Sequence, residues 1–238
     1  NGATWGQVAC YFNGQTEANA YMMWSEYIIG SLAVHPTNTQ TFIVAWGSSE
    51  KDAEIQDYNC LWRSTDAGMT FNKCVFTGLE NHEKPWFNGD NYSAKLGGEC
   101  MIYDPRYTNG MYLFLGGIPK TGQKPRIYQS TDGGQNWSQL ISELPNSIVN
   151  ETVLCLAMDE NVEELWVGTT RAVYRSTDFQ NFTEVSSAIP NARRILLGKN
   201  GNNVYAYIAG GTGNGKVYRF INGVLDNTLA DFPGYIAQ

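Results

Sequence analysis

The feature that most constrains this chain is a turn motif that recurs along it. The stretch RIYQSTDGGQNW (126–137) places Ser, Asp, Gly and Trp at fixed offsets after a short apolar alternation. CLWRSTDAGMTF (60–71) repeats these offsets with Phe in place of Trp, and AVYRSTDFQNFTEV (172–185) repeats them in degenerate form. KVYRFINGVL (216–225) keeps only the first part. Internal repetition outranks other sequence signals, because it implies one supersecondary unit used several times.

A pair of apolar runs precedes each copy of the motif. The pairs are SLAVHP with TFIVAWG, CMIYDP with MYLFLGG, CLAMDE with LWVGTT, and ILLGKN with VYAYIAG. Each run is rich in β-formers and each pair is joined by a short polar turn, which is typical of a β-hairpin. Strand, hairpin, strand, loop, strand, Asp-turn and strand together describe one four-stranded antiparallel blade of a β-propeller.

The sequence therefore predicts an all-β propeller in a single domain, residues 1–238. The four clear repeats cover about 28–76, 96–142, 150–186 and 190–230, and residues 1–27 are expected to supply a partial blade or a closing strand. About five blades follow from this count, because a closed ring removes the sheet edges that proteins otherwise have to protect.

The Asp of the motif is predicted to be structural rather than catalytic. A turn Asp accepts hydrogen bonds from its own backbone N–H groups, a Gly two residues later adopts positive φ without steric cost, and the aromatic residue packs back on the sheet. The residues assigned to these turns are Ser64, Asp66, Gly68, Phe71, Ser130, Asp132, Gly134, Trp137, Ser176 and Asp178.

Composition narrows the classes of partner. The formal net charge of −7 argues against nucleic acid or an anionic membrane surface, and no apolar run is long enough to span a membrane. A chain that begins at Asn1 rather than Met fits a mature secreted protein or an excised fragment. We expect a secreted, extracellular protein without a cofactor.

Five cysteines leave two interpretations open. Cys60 and Cys74 flank the first turn motif symmetrically, so they are predicted to face each other and to form a disulfide; the alternative is two reduced, buried thiols. Cys100 and Cys155 occupy equivalent positions in successive repeats and are predicted to point inward near the propeller axis. No metal site is expected, since the chain lacks a Cys-x-x-Cys pattern and has only two histidines.

Four Asn-x-Ser/Thr sequons permit N-glycosylation if a eukaryotic pathway secretes the protein. They lie at Asn91, Asn136, Asn150 and Asn181.

Residues 28–142 resemble the amino-terminal propeller of family 74 glycoside hydrolases, the xyloglucanases. The resemblance rests on the first two turn motifs and on Asn88-Gly89-Asp90-Asn91 and Gly98-Glu99-Cys100, which lead into a strand ending in Asp104-Pro105. Sialidase-type and sortilin-like propellers share the Asp-box turn motif more distantly. The resemblance implies a glycan-binding cleft and, in those enzymes, two facing propellers with a split acid pair.

The chain departs from that family where the chemistry lies. The family carries one catalytic Asp in a Thr-Asp-x-Gly-Gly-Ala-Tyr-Arg segment, and residues 1–27 contain no such segment. A second propeller is not found in the 238 residues, so no catalytic carboxylate can be assigned.

Long insertions on a repeat scaffold mark its binding face. Residues 48–59 and 79–99 are the two long insertions, and the second carries Trp86, Phe87, Tyr92 and Asp90. Aromatic faces beside carboxylates and amides suit a sugar, although the same aromatics can simply anchor the loop. A third insertion adds a basic spot at Lys120, Lys124 and Arg126, which is typical of solvated surface.

Three functions remain open on this evidence. The leading prediction is non-catalytic binding of a polysaccharide or an extracellular protein through the loop face. The first alternative is endo-hydrolysis of a β-1,4-glucan in the manner of a xyloglucanase. The second is a structural or assembly subunit of an extracellular structure.

Overall fold

The computed structural model describes residues 11–12, 27–48, 60–77, 100–116, 122–141, 143–212 and 215–226. All regular structure in these ranges is β-strand. They contain no helix that is long and apolar enough to cross a membrane.

Four antiparallel sheets form four successive blades, which confirms the predicted all-β propeller. Blade 1 consists of β2 (Tyr27–Val34), β3 (Phe42–Ser48), β4 (Cys60–Ser64) and β5 (Thr70–Lys73). Blade 2 consists of β7 (Met101–Tyr103), β8 (Leu113–Leu115), β9 (Ile127–Ser130) and β10 (Asn136–Ile141). Blade 3 consists of β11 (Val153–Asp159), β12 (Val162–Thr169), β13 (Val173–Ser176) and β14 (Thr183–Ser186). Blade 4 consists of β15 (Arg194–Asn200), β16 (Asn203–Gly210), β17 (Lys216–Ile221) and β18 (Val224–Asp226).

The first strands of the blades are neighbours in space: β2 contacts β7, β7 contacts β11, and β11 contacts β15. They therefore line the propeller axis in chain order. The chain enters each first strand at one end of the blade, which we call the upper rim, and passes the first hairpin and the turn motif at the other end, the lower rim.

Two short parallel strands extend the outer edges of blades 1 and 2. β1 (Tyr11–Phe12) pairs with β5, and β6 (Val75–Thr77) pairs with β10. Tyr11 lies opposite Thr70 and Val75 lies opposite Asn136, which are equivalent positions four residues after the turn Asp. In the described part of residues 1–26, β1 therefore adds to blade 1. A partial fifth blade formed by residues 1–27 stays a prediction.

The core consists of three apolar layers between successive blades. Blades 1 and 2 share Ile43, Leu113 and Trp137, whereas blades 3 and 4 share Trp166 and Phe220. The layer between blades 2 and 3 includes Phe114, Leu165 and Tyr174. The middle strand β8 is buried on both faces, which explains its continuous Leu-Phe-Leu run without polar alternation.

The three Asp-turns bind their own backbones at the lower rim. In the second, Asp132 Oδ1 accepts the Ser130 hydroxyl (2.9 Å) and the Asn136 N–H (2.8 Å), and Ser130 Oγ accepts the Gly134 N–H (2.9 Å). Asp66 and Asp178 accept equivalent bonds from Ser64 and Thr70 and from Ser176 and Asn181. The carboxylates are thus occupied within their own turns.

The glycine of the second Asp-turn is required for more than its φ of 84°. A Cβ at Gly134 would lie 1.9 Å from Cδ1 of Ile43 on blade 1. Trp137, which is 1% exposed, closes the turn by donating its indole N–H to the Gly134 carbonyl at 2.9 Å. The motif therefore joins turn geometry to the packing of one blade on the next.

Blade 4 replaces the Asp-turn with a two-residue hairpin. Asn222 and Gly223 have φ values of 51° and 82°, as a type I′ turn requires. The Asn222 side-chain oxygen accepts the Val204 N–H at 2.8 Å, so one side chain again satisfies neighbouring backbone.

Polar contacts also join successive blades at the lower rim. The His35 ring bonds the Asn109 carbonyl through Nε2 at 3.0 Å, and its Nδ1 accepts the N–H groups of Thr37 and Asn38. These partners assign the neutral tautomer with the proton on Nε2. Arg106 of blade 2 lies 4.1 Å from the ring centroid of Phe179 in the turn of blade 3.

The predicted Cys60–Cys74 disulfide is wrong for this structure. Trp62 pairs with Lys73 across β4 and β5, and the Cys74 N–H donates to the Leu61 carbonyl at 2.9 Å. Cys74 therefore lies opposite Leu61, one position out of the register that a bridge to Cys60 requires, and it is a buried thiol. The sequence prediction assumed symmetric pairing about the turn motif and therefore did not anticipate this one-residue offset.

Replacing the turn carboxylate should destabilise the propeller without a direct effect on ligand binding. Asp132→Ala is expected to lower the free energy of unfolding by about 1–3 kcal/mol, because turn donors lose their acceptor. Urea unfolding of this variant and of Thr131→Ala, an exposed neighbour in the same turn, measures the effect. An Asp132→Ala protein as stable as the Thr131→Ala protein would contradict the structural role.

The Asp-turns should also make stability depend on pH in the acid range. Burial by itself raises the pKa of the Asp132 carboxyl, but hydrogen bonds from Asn136 and Ser130 outweigh it and hold the pKa below its usual range. The pKa of Asp66 is lowered by Thr70, and that of Asp178 by Asn181. Because the unfolded chain then binds protons first, each turn contributes stability above about pH 4–5 that is lost as the pH falls further.

We expect the unfolding midpoint of Asp132→Asn to fall less steeply than that of the wild type between about pH 5 and pH 2. Thermal unfolding across this range tests the difference. Glu143→Gln, which removes an exposed carboxylate outside the Asp-turns, is the control, and an Asp132→Asn slope equal to it would count against the turns as the source.

Candidate functional site

The predicted binding insertions are attached to the upper rim. The chain leaves β3 at Ser48 and enters β4 at Cys60, both at the upper end of blade 1. It leaves β6 at Thr77 and reaches β7 at Met101, where the first strand of blade 2 begins. The predicted site residues Trp86, Phe87, Asp90 and Tyr92 themselves lie outside the described residues. The upper rim is thus the candidate site, opposite the Asp-turns.

Lys124 of the predicted basic spot forms an exposed ion pair, and Arg126 of the same spot is partly buried. Lys124 Nζ lies 3.0 Å from Glu143 Oε2, and both side chains are well exposed. Exposed pairs of this kind contribute about 0–1 kcal/mol. Lys120 lies outside the described residues. Lys124 is therefore better explained by its carboxylate neighbour than by an anionic ligand.

A buried glutamate organises the upper rim of blade 3. Glu151 is 1% exposed, and its Oε1 accepts the hydroxyls of Thr169 (2.6 Å) and Tyr174 (2.9 Å). Its Oε2 accepts the N–H of Ile148 (3.0 Å) and Nε–H of Arg171 (3.1 Å). Four donors thus satisfy this carboxylate: Ile148 in the connector before β11, Thr169 at the end of β12, Arg171 in the following turn, and Tyr174 in β13.

Arg171 extends this network to the outer strand of the blade. Its Nη2 donates to Glu184 Oε2 at 2.7 Å, to the Tyr174 hydroxyl at 2.8 Å and to the Asn146 carbonyl at 3.1 Å. The hydrogen bond to Glu184, assisted by those to Tyr174 and Glu151, raises the pKa of Arg171. Burial raises the pKa of Tyr174, so its hydroxyl remains a neutral donor.

Two carboxylates therefore lie on either side of one arginine, and both are engaged by it. Neither Glu151 nor Glu184 is placed as a free acid or base, because each accepts charge-assisted hydrogen bonds. The network fixes the inter-blade connector and gives the rim a rigid base. Sequence reasoning missed it, since Glu151 was visible only as the middle residue of a sequon and Arg171 as a turn residue.

The connector before β11 is also tied to the loop before β9. Asn150 N–H donates to the Gln123 carbonyl at 2.7 Å, and its side-chain oxygen accepts the Gly122 N–H at 2.8 Å. Asn150 has a φ of 61°, a conformation that Asn tolerates better than most residues. Both the backbone and the side chain of Asn150 thus tie neighbouring segments of the rim together.

The thiols of Cys100 and Cys155 contact the following blade, and their predicted orientation toward the propeller axis stays a prediction. The thiol of Cys100 donates to the Leu154 carbonyl at 3.1 Å, and that of Cys155 donates to the Ala192 carbonyl at 3.3 Å. Both are buried. Their shared role is close packing between blades: a Cβ at Gly168, opposite Cys155 across the strand pair, would lie 2.7 Å from its sulfur.

The described sequons differ in their surroundings, and their glycosylation stays a prediction. The side-chain amides of Asn136 and Asn181 donate to Asp132 and Asp178 at 2.6 and 2.7 Å within the lower-rim turns. Asn150 lies at the upper rim, and Asn91 lies outside the described residues. Attachment at Asn136 or Asn181 would therefore place a glycan on the rim opposite the insertions.

Comparison with solved structures identifies the architecture. An ancestral GH74 enzyme matches with a TM-score of 0.56 and 17% sequence identity, over 83% of this chain and 25% of that one. This chain shares its propeller fold with that glycoside hydrolase. A β-fructofuranosidase from Schwanniomyces occidentalis (TM-score 0.46, 10% identity) matches over 86% of this chain and 47% of its own, and an endo-arabinase from Bacteroides thetaiotaomicron (TM-score 0.38, 10% identity) over 83% and 81%.

The likeness at this identity concerns the fold alone, and the chain spans a quarter of the length of the GH74 enzyme. No protein-family model matches the sequence, and no curated protein matches it.

The Glu151 network should be structural. Glu151→Gln is expected to lower the free energy of unfolding by about 1.5–3 kcal/mol, because charge-assisted hydrogen bonds to a buried carboxylate become neutral ones. Glu184→Gln, at the more exposed end of the same arginine, should cost less. Differential scanning calorimetry of both variants tests the order. A Glu151→Gln protein that keeps wild-type stability but no longer binds or cleaves a glycan would instead assign this carboxylate to the chemistry.

Proposed function

We propose that the protein binds a polysaccharide through the upper rim without hydrolysing it. The observation that carries the proposal is topological: the strands that flank the insertions at 48–59 and 79–99 end and begin at this rim. The residues proposed to contact the polysaccharide are Trp86, Phe87, Tyr92 and Asp90 of the second insertion. Aromatic faces with nearby polar groups are the usual elements of a sugar-binding surface.

The electrostatics of the described residues support binding over catalysis. Asp66, Asp132 and Asp178 are occupied by their own turns, and Glu151 and Glu184 are occupied by Arg171. General acid–base cleavage of a glycoside needs one carboxyl that donates a proton and one that activates water or attacks. None of these five carboxylates has that freedom.

Hydrolysis of a β-1,4-glucan is the second candidate function. It is favoured by the propeller shared with a GH74 enzyme. An extracellular location belongs to the same proposal, because both functions act on polysaccharides outside the cell. Binding and hydrolysis would both involve a polysaccharide. Only hydrolysis forms a shorter product, so product formation distinguishes the two functions.

Removal of an insertion aromatic should weaken binding without unfolding the protein. Trp86→Ala is expected to weaken retention on a soluble β-glucan about tenfold, since a stacked sugar ring contributes about 0.5–1.5 kcal/mol beyond burial. Affinity electrophoresis measures retention and thermal unfolding measures stability. Tyr107→Ala is the matched control, because Tyr107 is an exposed aromatic at the lower rim (43% exposed).

The outcomes separate glycan binding from hydrolysis and from a purely structural role of Trp86. Retention lost in Trp86→Ala but kept in Tyr107→Ala supports the glycan-binding rim. Release of reducing ends from the glucan by the wild type would favour hydrolysis. No retention of wild-type protein on any glucan, together with a loss of several degrees of thermal stability in Trp86→Ala, would contradict the proposal and identify Trp86 as a loop anchor.

A further inference from the structure

The outward face of blade 4 repeats the surface that each earlier blade presents to its successor. Four second-strand residues are equivalent by strand pairing, because each pairs with the second-last or equivalent residue of the third strand. The pairs are Ile43 with Arg63, Phe114 with Gln129, Trp166 with Arg175, and Tyr207 with Arg219. The first three contact the next blade and are 0%, 1% and 0% exposed, whereas Tyr207 is 39% exposed.

The first strands show the same difference. Ala33 pairs with Ile43, Ala157 pairs with Trp166, and Leu196 pairs with Tyr207. Ala33 and Ala157 are 6% and 7% exposed, but Leu196 is 56% exposed. The equivalent pair in blade 2 is Ile102 and Phe114, of which Ile102 is partly buried. Blade 4 thus exposes apolar side chains at both positions where a following blade would pack. Such exposure of paired apolar residues on a sheet face marks an interaction surface.

Blades 1, 3 and 4 also carry an arginine at the same position of the third strand. Arg63, opposite Ile43, donates to the Gly133 carbonyl of blade 2 at 2.9 Å, and Arg175, opposite Trp166, donates to the Asn222 carbonyl of blade 4 at 3.4 Å. Both contacts reach the lower-rim turn of the following blade. Arg219 occupies the same position opposite Tyr207 and pairs with Asp226 within its own blade. Its position therefore matches that of the two bridging arginines.

The sequence after β18 repeats the connectors that lead from one blade to the next. Leu144-Pro145-Asn146 precedes blade 3 and Ile189-Pro190-Asn191 precedes blade 4. Leu144 and Ile189 are 1% and 0% exposed, and the two asparagines have φ values of 56° and 53°. Phe232-Pro233-Gly234 has the same order of apolar residue, proline and a residue that accepts positive φ.

We propose that the outward face of blade 4 seats the first strand of a fifth blade, and that residues 235–238 enter this strand through Phe232-Pro233-Gly234. The connector before blade 4 supplies the register. Ala192, two residues after Pro190, packs on Gly168. A Cβ added at Gly168 would lie 3.0 Å from the Cβ of Ala192. Tyr235 and Ala209 are the equivalents of Ala192 and Gly168, so they are the two positions that should meet.

A second copy of the chain is the competing occupant, because Leu32 on blade 1 is also 49% exposed. Leu32 is equivalent to Met101, Leu156 and Ile195, which face the preceding blade and are 2%, 1% and 2% exposed. The repeated connector favours the segment of the same chain, since a second copy would need no such sequence after β18.

Disulfide trapping in the 238-residue chain tests the proposal. Ala209→Cys with Tyr235→Cys should form an intramolecular bridge, identified by peptide mapping without reduction. Lys199→Cys with Tyr235→Cys is the matched control, because Lys199 is exposed near the lower end of β15. A bridge in the first pair only supports the proposal. Equal bridging in both pairs or none in the first overturns it, as does a concentration-dependent bridge between two chains, which would assign the face to a second copy.

Hydrogen exchange provides a measurement without new cysteines. Phe232→Ser should speed exchange of the β15 and β16 amides about tenfold or more, because loss of a buried anchor costs at least about 1.5 kcal/mol. Leu229→Ser, an apolar substitution in the same segment but outside the connector motif, should leave these rates unchanged. Unchanged exchange in Phe232→Ser, or equal acceleration in both variants, would overturn the assignment.

Discussion

The structure depends on the burial of each blade against the next. A single four-stranded sheet of such short strands is marginal in water, and stability comes from closing apolar layers on its faces. β8 shows this most directly: Leu113 and Leu115 belong to the layer with blade 1, and Phe114 belongs to the layer with blade 3. One strand of three residues thus serves two interfaces. A substitution in such a strand changes the contact with a neighbouring blade as well as its own sheet.

The same requirement explains the small residues at the upper ends of the second strands. Connectors cross between blades at this level, and a Cβ at Gly116 would lie 2.4 Å from Val153, while a Cβ at Gly168 would lie 2.4 Å from the Ala192 carbonyl. Buried carbonyls at these crossings need donors, and the thiols of Cys100 and Cys155 supply them. The cysteines are therefore explained by blade packing, and no redox chemistry is needed to account for their positions.

The sequence predicted the repeated unit well because each turn is local. Ser, Asp, Gly and the aromatic residue of the second motif contact one another within eight residues, so their offsets alone predict Ser130, Asp132 and Trp137 to act together. Relations across strands were harder to predict. The Cys60–Cys74 disulfide failed through an offset of one residue, which symmetry in sequence cannot detect. The Glu151–Arg171 pair joins positions 20 residues apart across a connector and a turn, and no short spacing indicates such a contact.

The two rims of the propeller differ in the way they use charge. At the lower rim, carboxylates saturate turn donors and inter-blade contacts involve His35, Arg63 and Arg106. At the upper rim of blade 3, Glu151 and Glu184 share the single Arg171, so this cluster is net negative. The local charge and the net charge of −7 both disfavour an anionic ligand. Recognition by stacking of aromatic side chains on a neutral glycan does not require charge, so it would be only weakly sensitive to salt, unlike binding of a polyanion.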